Sequence, residues 1–189
     1  MHRSVTAFQG TTRIAFGPLA EVARSVHHAV AAQIRQEILA FEDATGRVVD
    51  LNLSGSADDV AARYTLPPDT RARGRPKLGV TAREVTLLPR HWDWLATQPG
   101  GASATLRRLV ETARRTGAAG DRRRTAQEAA YRVMQALAGD LPGYEEALRT
   151  LFADDAEGYD RNIATWPEDV RRYCRALAFP PEPNDAAEA

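Results

Sequence analysis

The sequence predicts an α+β protein, and three observations lead to that prediction. Short β-prone runs separated by turn signals fill the N-terminal third, with one amphipathic helical pattern between them. A stretch rich in proline and arginine separates this part from the centre of the chain. Helical patterns then dominate almost to the C-terminus. We therefore expect a small N-terminal ββαββα unit, a central strand–helix–helix unit and a C-terminal helical segment.

Local patterns predict the N-terminal elements in order. Two β-prone runs flank the turn signal Gln9-Gly10-Thr11, which indicates a hairpin over residues 4–16. Pro18 suits the first turn of a helix. The residues that follow repeat apolar side chains every three or four positions, as an amphipathic helix requires, at Leu19, Val22, Val26, Val30 and Ile34.

Two further strands and a helix complete the N-terminal unit. Residues 38–41 form an apolar run, and residues 48–53 alternate apolar and polar side chains like a half-buried strand. A turn signal at 43–46 lies between them. Asp58 and Asp59 fit the first turn of a short helix, where the helix dipole favours carboxylates.

The centre of the chain predicts one strand and two helices. Residues 83–88 are strand-like, and Pro89 begins a helix that ends at Pro99-Gly100-Gly101. Ser103 is a suitable N-cap for the second helix, which we expect to end at Gly117 and Gly120. The resulting segments are an N-terminal unit at 1–65, a basic proline-containing linker at 66–79, the strand–helix–helix unit at 80–116, a helical segment at 120–178 and a disordered tail at 179–189.

Composition excludes several classes of protein. The chain has 189 residues and a mass of 20.7 kDa, with 43% hydrophobic and 26% charged residues, which are ordinary globular values. No apolar run approaches the length of a membrane-spanning helix, so we expect a cytoplasmic protein with no membrane partner. The single cysteine, Cys174, excludes an internal disulfide framework and a multi-cysteine metal site.

Charge is distributed unevenly although its sum is zero. Residues 1–70 carry a net charge of −2, residues 71–132 carry +9 and residues 133–189 carry −7. The basic centre predicts an anion-binding surface, with nucleic acid as the first candidate. The alternative is that the basic centre and the acidic C-terminal part neutralise each other within the fold.

Two short segments resemble known DNA-binding elements. The run Arg71-Ala72-Arg73-Gly74-Arg75-Pro76-Lys77 resembles an AT-hook. That resemblance implies contact with the minor groove of A·T-rich DNA, whose negative potential attracts arginine. The implied contact residues are Arg71, Arg73, Gly74, Arg75, Pro76 and Lys77.

Residues 80–116 resemble the ribbon-helix-helix fold of bacterial repressors and antitoxins. The resemblance implies a homodimer in which two strands pair, and a helix N-terminus near Ser103 that binds phosphate. A lone strand needs a partner, which either a second chain or the N-terminal sheet must supply. Neither face of the strand suits base reading. The basic residues implied in DNA contact are Arg83, Arg107 and Arg108.

The order of elements over nearly the whole chain resembles a family of bacterial proteins classed as domain of unknown function 2239. The most specific stretch runs from Gly74-Arg75-Pro76-Lys77-Leu78-Gly79-Val80 into Arg83-Glu84-Val85-Thr86-Leu87-Leu88-Pro89-Arg90-His91-Trp92. Thr6-Ala7-Phe8-Gln9-Gly10 and Asp43-Ala44-Thr45-Gly46-Arg47 add to it. The resemblance implies a family and no activity.

We expect no enzyme, because no catalytic constellation is visible. His27 and His28 are adjacent on a helix and point about 100° apart, so they cannot face one metal ion together. Cys174 fits a small buried hydrophobe. We therefore expect no cofactor, no metal and no small-molecule substrate.

The preferred hypothesis is a homodimeric DNA-binding protein, of the transcriptional-regulator kind, that acts through its basic centre. Seven further arginines would supply its electrostatic footprint: Arg107, Arg108, Arg114, Arg115, Arg122, Arg123 and Arg124. The alternative is an antitoxin-like dimerisation or protein-interaction module that binds no DNA.

Overall fold

A computed structural model of the chain describes residues 4–32, 37–65 and 81–181. The chain forms two units. Unit 1 combines residues 1–66 with residues 122–189, and unit 2 comprises residues 67–121. The predicted linker at 66–79 lies outside the described residues. The fold is α+β, as the sequence predicts, with a small antiparallel sheet followed by a helical region.

The sheet of unit 1 has three strands in the order β2-β1-β3, with both pairs antiparallel. The strands are β1 (Ser4–Gln9), β2 (Thr12–Pro18) and β3 (Ile38–Glu42). The predicted hairpin is therefore present, and Gly10 lies in its turn with φ +57°. Helix α1 (Leu19–Ala31) follows β2 directly and buries Val22 and Val26.

Each face of the sheet has its own core because alternate residues of a strand point to opposite faces. Val5 and Ala7 of β1 pack with Val22 and Val26 of α1. Phe8 and Phe41 belong to a second, larger cluster that residues 130–178 complete. The segments predicted as an N-terminal unit and a C-terminal helical segment thus share one core.

The predicted fourth strand at 48–53 is wrong except for a single bridge between Phe41 and Val48. Side chains of helix α2 (Ala57–Tyr64) take the place of a strand partner. The Arg63 guanidinium donates to the carbonyls of Asn52 (2.7 Å) and Ser54 (3.1 Å), and the N–H of Asn52 donates to the Tyr64 hydroxyl (2.6 Å). Together with the bond from the Val49 N–H to the Ala40 carbonyl (2.7 Å), these bonds pair part of the segment's backbone without a ladder.

The helical part of unit 1 contains the C-terminal portion of α4 (Gly101–Ala138), with α5 (Tyr144–Phe152), α6 (Ala156–Asn162) and α7 (Glu168–Ala178). Its buried centre includes Met134, Tyr159 and Cys174. Phe179, which the sequence assigns to a disordered tail, is partly buried and lies with its ring centroid 5.4 Å from that of Tyr159. Residues from 182 onward lie outside the described ranges.

Gly46, in the turn after β3, lies against the backbone of helix α4 at Ala129. It has φ +64°, and a Cβ placed there would lie 2.2 Å from the Ala129 carbonyl oxygen. Gly46→Ala is therefore expected to lower the free energy of unfolding by about 3 kcal/mol, through backbone strain and overpacking. Urea denaturation measures this.

The matched control for that change is Gly17→Ala. Gly17 also has positive φ, at +130°, but its added Cβ would meet only a flexible Glu21 carboxylate oxygen at 3.8 Å. We expect it to cost about 1–2 kcal/mol, from strain alone. Equal losses at the two positions would contradict the close approach to Ala129.

Three buried ionisable groups of unit 1 predict loss of stability at alkaline pH. Burial raises the pKa of the Cys174 thiol from 9.0 to about 12. Burial also raises the pKa of Tyr159 and of Tyr173, the latter helped by the nearby Asp43 carboxylate. Above pH 9 the unfolded chain loses protons that the folded chain retains, so unfolding becomes more favourable as pH rises.

The expected decrease in the free energy of unfolding between pH 8 and pH 10.5 is about 4 kcal/mol, from roughly 1.4 kcal/mol per pH unit for each group above its ordinary pKa. Urea midpoints at the two pH values measure it. In Cys174→Ala the decrease should be about 2 kcal/mol smaller, because the thiol begins to ionise first. An identical pH dependence in the native chain and in Cys174→Ala would show that burial does not keep the thiol protonated.

Unit 2 consists, in its described part, of an irregular segment followed by two helices. Helix α3 spans Pro89–Ala96, and the first part of α4, up to Asp121, follows after a short turn. Leu88 is the extended N-cap residue of α3 (φ −66°, ψ 149°), and Pro89 occupies its first turn as the sequence predicts.

The predicted strand at 83–88 does not form within the single chain, because residues 81–88 have no regular secondary structure there. The sequence leaves two partners open for such a strand, the N-terminal sheet or a second chain. The sheet contains only β1, β2 and β3 among the described residues, so it does not supply the partner. An unpaired segment has no ladder to hold it as a strand.

Helix α4 is a single helix of 38 residues, so the predicted helix end at Gly117 and Gly120 is wrong. A glycine inside a helix costs about 1 kcal/mol without breaking it, and Ala118 and Ala119 between the two are strong helix formers. Ser103 is the third residue of α4 rather than its N-cap, because the helix begins at Gly101.

None of the helices in the described ranges combines the length and the apolar composition that crossing a bilayer requires.

Candidate nucleic-acid interface

The candidate interface is the arginine face of α4 within unit 2, defined by Arg107, Arg108, Arg114 and Arg115. All four are exposed. At 100° per residue, Arg108 and Arg115 lie on the side of the helix opposite the apolar stripe of Leu106, Leu109, Val110 and Ala113. Arg107 and Arg114 lie between that side and the Val110 edge of the stripe. The pairs 107/108 and 114/115 are one heptad apart, or about 10.5 Å along the axis.

Few carboxylates neutralise this face. Arg114 forms an ion pair with Glu111 at 3.1 Å, and both side chains are well exposed to solvent. Arg107, Arg108 and Arg115 form no ion pair with another described residue. Exposed arginines without fixed partners keep their full charge available for an anion, because forming the new contact breaks no buried pair. The arginine face can therefore hold phosphate groups.

Two other predicted contact residues, Arg83 and Ser103, belong to unit 2. Arg83 is exposed in the irregular segment, and Ser103 is exposed in the first turn of α4. The N–H of Gly101 donates to the Gln98 carbonyl at 3.1 Å, so this amide is not free for phosphate. The predicted hook residues at 71–77 lie outside the described residues.

The sequence predicts Arg123 as part of the electrostatic footprint, but the structure gives it another role. Its guanidinium donates to the carbonyls of Leu151 (3.0 Å) and Ala178 and pairs with Asp154. It also lies over the Phe179 ring, 4.4 Å from the centroid. The side chain is only 22% exposed. Arg123 therefore joins α4 to α5 and α7 inside unit 1, and it is not available to a ligand.

A polar cluster at Asp43 is also absent from the sequence-based predictions. Its carboxylate accepts hydrogen bonds from the hydroxyls of Ser4 (2.6 Å), Thr6 (2.8 Å) and Tyr173 (2.8 Å). The Tyr173 ring packs against Phe8 at 5.3 Å between centroids. The three hydroxyls come from β1 and α7, so this cluster ties the sheet to the last helix.

From the sequence, His27 and Cys174 are weighed as candidates for metal binding or catalysis. His27 Nε2 lies 3.0 Å from the Gly55 carbonyl oxygen, and Cys174 is buried. Across residues 4–32, 37–65 and 81–181, no group of three or more His, Cys, Asp or Glu side chains is placed to hold a metal ion.

Fold and site together define an α+β protein that carries a basic helical face on a unit separate from its main core. The chain belongs to the family DUF2239, described as an uncharacterized protein conserved in bacteria, whose model matches residues 4–178. The sequence resemblance to this family is thereby confirmed. Comparison with curated proteins and with solved structures gives no match.

Proposed function

We propose that this protein binds nucleic acid, with duplex DNA as its first candidate, through the arginine face of unit 2. The observation that supports the proposal is the exposure of Arg107, Arg108 and Arg115 without carboxylate partners among the described residues. Phosphate contacts of this kind supply most of the affinity of non-specific nucleic-acid binding. We therefore favour a regulator of transcription as the class of protein.

The charge of the C-terminal third bears on this proposal. One of its acidic residues, Asp154, pairs with Arg123 of the predicted footprint. The ion pairs of Glu146, Glu157 and Glu168 are formed with arginines of their own helices, α5, α6 and α7. The neutralisation seen in the described residues of unit 1 thus removes Arg123 from the footprint.

Fluorescence anisotropy of a labelled duplex, at salt concentrations from 0.05 to 0.2 M, tests the proposal. For about six phosphate contacts, the logarithm of the affinity should fall against the logarithm of salt with a slope of roughly −5. Parallel titrations with single-stranded DNA and with double-stranded RNA identify the preferred polyanion. Absence of binding to every nucleic acid at 0.05 M salt would overturn the proposal.

The second candidate function is that of a protein-interaction module without DNA binding. The observation that favours it is the exposed apolar surface of unit 2, which includes Trp92 and Trp94. Exposed tryptophan is enriched at protein interfaces. Under this alternative the duplex titration gives no signal at low salt while the protein still associates with a protein partner.

A further inference from the structure

The face of the sheet that packs against α1 carries an open cavity of about 750 Å³. The cavity lies in unit 1, between the second half of α1, strand β3 and the segment 48–53. Its walls are mostly apolar and include Val26, Val30, Ile38, Ala40, Leu51 and Leu53. Small-molecule sites usually have volumes of about 300–1,000 Å³ and apolar walls with a few polar groups, so this cavity has the size and the lining of such a site.

The cavity exists because the segment 48–53 leaves β3 after its first residues. The N–H of Val49 donates to the Ala40 carbonyl at 2.7 Å, so the segment runs beside β3 at this point. Side chains of α2 bind the backbone at Asn52 and Ser54 instead. The segment and the first part of β3 therefore diverge, and Val26 and Val30 of α1 line the space between them.

Part of the apolar lining is left in water. Val26 and Ala40 are buried, whereas Val30 is 51% exposed and Val48 is 56% exposed. The cavity thus has a buried floor and an apolar rim that opens to solvent. A ligand with an apolar body removes this rim from water, which is the main favourable contribution to binding at an apolar site.

Two carboxylates give the cavity a preference for positive charge. Glu37 and Asp50 line it, and both are exposed. Neither side chain forms an ion pair or a hydrogen bond with another residue of the described ranges, and none of the described lining residues is basic. A protonated amine can therefore meet these carboxylates without breaking an existing pair, whereas an anionic ligand is repelled.

We infer that this cavity binds a small molecule that has an apolar body and a protonated amine at one end. The apolar body packs against the valine and leucine side chains of the walls, and the carboxylates at the rim hold the ammonium group. The inference goes beyond the proposed function, because the cavity belongs to unit 1 and requires neither the arginine face nor nucleic acid.

An NMR titration of the full chain, labelled with nitrogen-15, tests the inference with octylamine and octanoate at neutral pH. The two probes share the same alkyl chain length, and their end groups carry opposite charges. Octylamine should bind with a Kd on the order of 1 mM or tighter and shift the amide signals of Ile38 and Leu51. Octanoate should bind at least about tenfold more weakly, because it meets the same carboxylates as a like charge.

Three results of this titration would overturn the inference. The first is the absence of shifts at Ile38 and Leu51 with octylamine up to about tenfold above the expected Kd. The second is equal affinity for octylamine and octanoate. The third is tighter binding of an apolar hexapeptide that contains one lysine, which would assign the cavity to a peptide.

The variant Glu37→Gln with Asp50→Asn removes the charge of both rim residues and keeps the shape of their side chains. Octylamine should then bind roughly tenfold more weakly, which is the loss expected for two solvent-exposed charge contacts. Octanoate should bind more tightly than it does to the native chain. Weaker binding of both probes would show that the carboxylates do not select the ligand, and would overturn the inference.

Asp140→Asn with Glu145→Gln is the matched control. It makes the same two changes on exposed carboxylates of unit 1 that do not line the cavity. The affinity for octylamine should change by less than about twofold, since salt screens charges that lie outside the site. A loss as large as that of the rim variant would mean that octylamine responds to total charge, and would overturn the inference.

Val30→Trp tests the cavity itself. Because Val30 is exposed at the rim, the larger side chain can enter the cavity without displacing the core of unit 1. Far-UV circular dichroism should stay native, and octylamine should no longer shift the signals of Ile38 and Leu51. Octylamine binding of native strength to the folded variant would place the ligand elsewhere and overturn the inference.

Discussion

Arg123→Ala is expected to lower the free energy of unfolding of unit 1 by about 3 kcal/mol, since hydrogen bonds to a charged group contribute roughly 1.5–3 kcal/mol each. The change removes the donor to the Ala178 carbonyl, the pair with Asp154 and the contact with the Phe179 ring. The Leu151 carbonyl keeps the amide of Gln127 as a donor, at 2.9 Å, which limits the loss. Urea denaturation followed by circular dichroism measures it.

Arg149→Ala is the matched control for this variant. Arg149 is also a helical arginine of unit 1 that pairs with a carboxylate, Glu146, but its side chain is largely in solvent. An exposed pair of this kind contributes at most about 0.5 kcal/mol. If the two variants lose the same small amount of stability, Arg123 does not hold the helices together.

Removal of two arginines from the arginine face should have the largest effect on binding. Each phosphate contact adds about 0.9 to the slope of log affinity against log salt, which corresponds to about eightfold in affinity at 0.1 M salt relative to 1 M. The loss of two contacts in Arg108→Ala with Arg115→Ala should therefore weaken duplex binding roughly 60-fold. The salt dependence should become shallower by about 2. Anisotropy titrations at several salt concentrations measure both quantities.

The control for the binding experiment changes the net charge by the same amount elsewhere. Arg149→Ala with Arg172→Ala removes two exposed helical arginines of unit 1, which pair with Glu146 and Glu168. We expect less than a threefold change in affinity, since this pair lies outside the proposed interface and acts only through long-range charge, which salt screens. A loss equal to that of the first pair would mean that binding follows total charge and not the arginine face.

Much of unit 1 could be predicted because its signals are local. The hairpin follows from a turn sequence between two β-prone runs, and α1 follows from its apolar period. The strand at 48–53 failed although its alternation is real. Beyond Val49, which bonds to Ala40 of β3, the backbone of Asn52 is paired by Arg63 and Tyr64 on α2. A side chain that replaces a neighbouring strand leaves no periodic signal.

The role of Arg123 had a signal that could have been found. Residues three and seven positions after it, Ala126 and Ala130, lie on the buried face of α4. An arginine in phase with that face points inward, whereas Arg122 and Arg124 are exposed. Its carbonyl partners at Leu151 and Ala178 could not be predicted, because they depend on how distant helices pack.

The sequence pattern underestimates the length of α4 for a different reason. Glycine is a helix terminator only where the chain can satisfy its last carbonyls in another way. A Cβ added at Gly117 or at Gly120 would make no close contact with a neighbouring side chain. The two positions between these glycines are alanines. Continuing the helix therefore costs about 2 kcal/mol in total, against the backbone hydrogen bonds that a break would lose.

Chemical modification of arginine in the presence of duplex tests the central claim most directly. Phenylglyoxal reacts with exposed guanidinium groups, and mass spectrometry reads the extent of reaction at each residue with and without DNA. The arginine face predicts protection by duplex at Arg107, Arg108, Arg114 and Arg115, with unchanged reaction at Arg149, Arg161 and Arg172. Equal protection at all exposed arginines, or protection confined to unit 1, would contradict a nucleic-acid interface on α4.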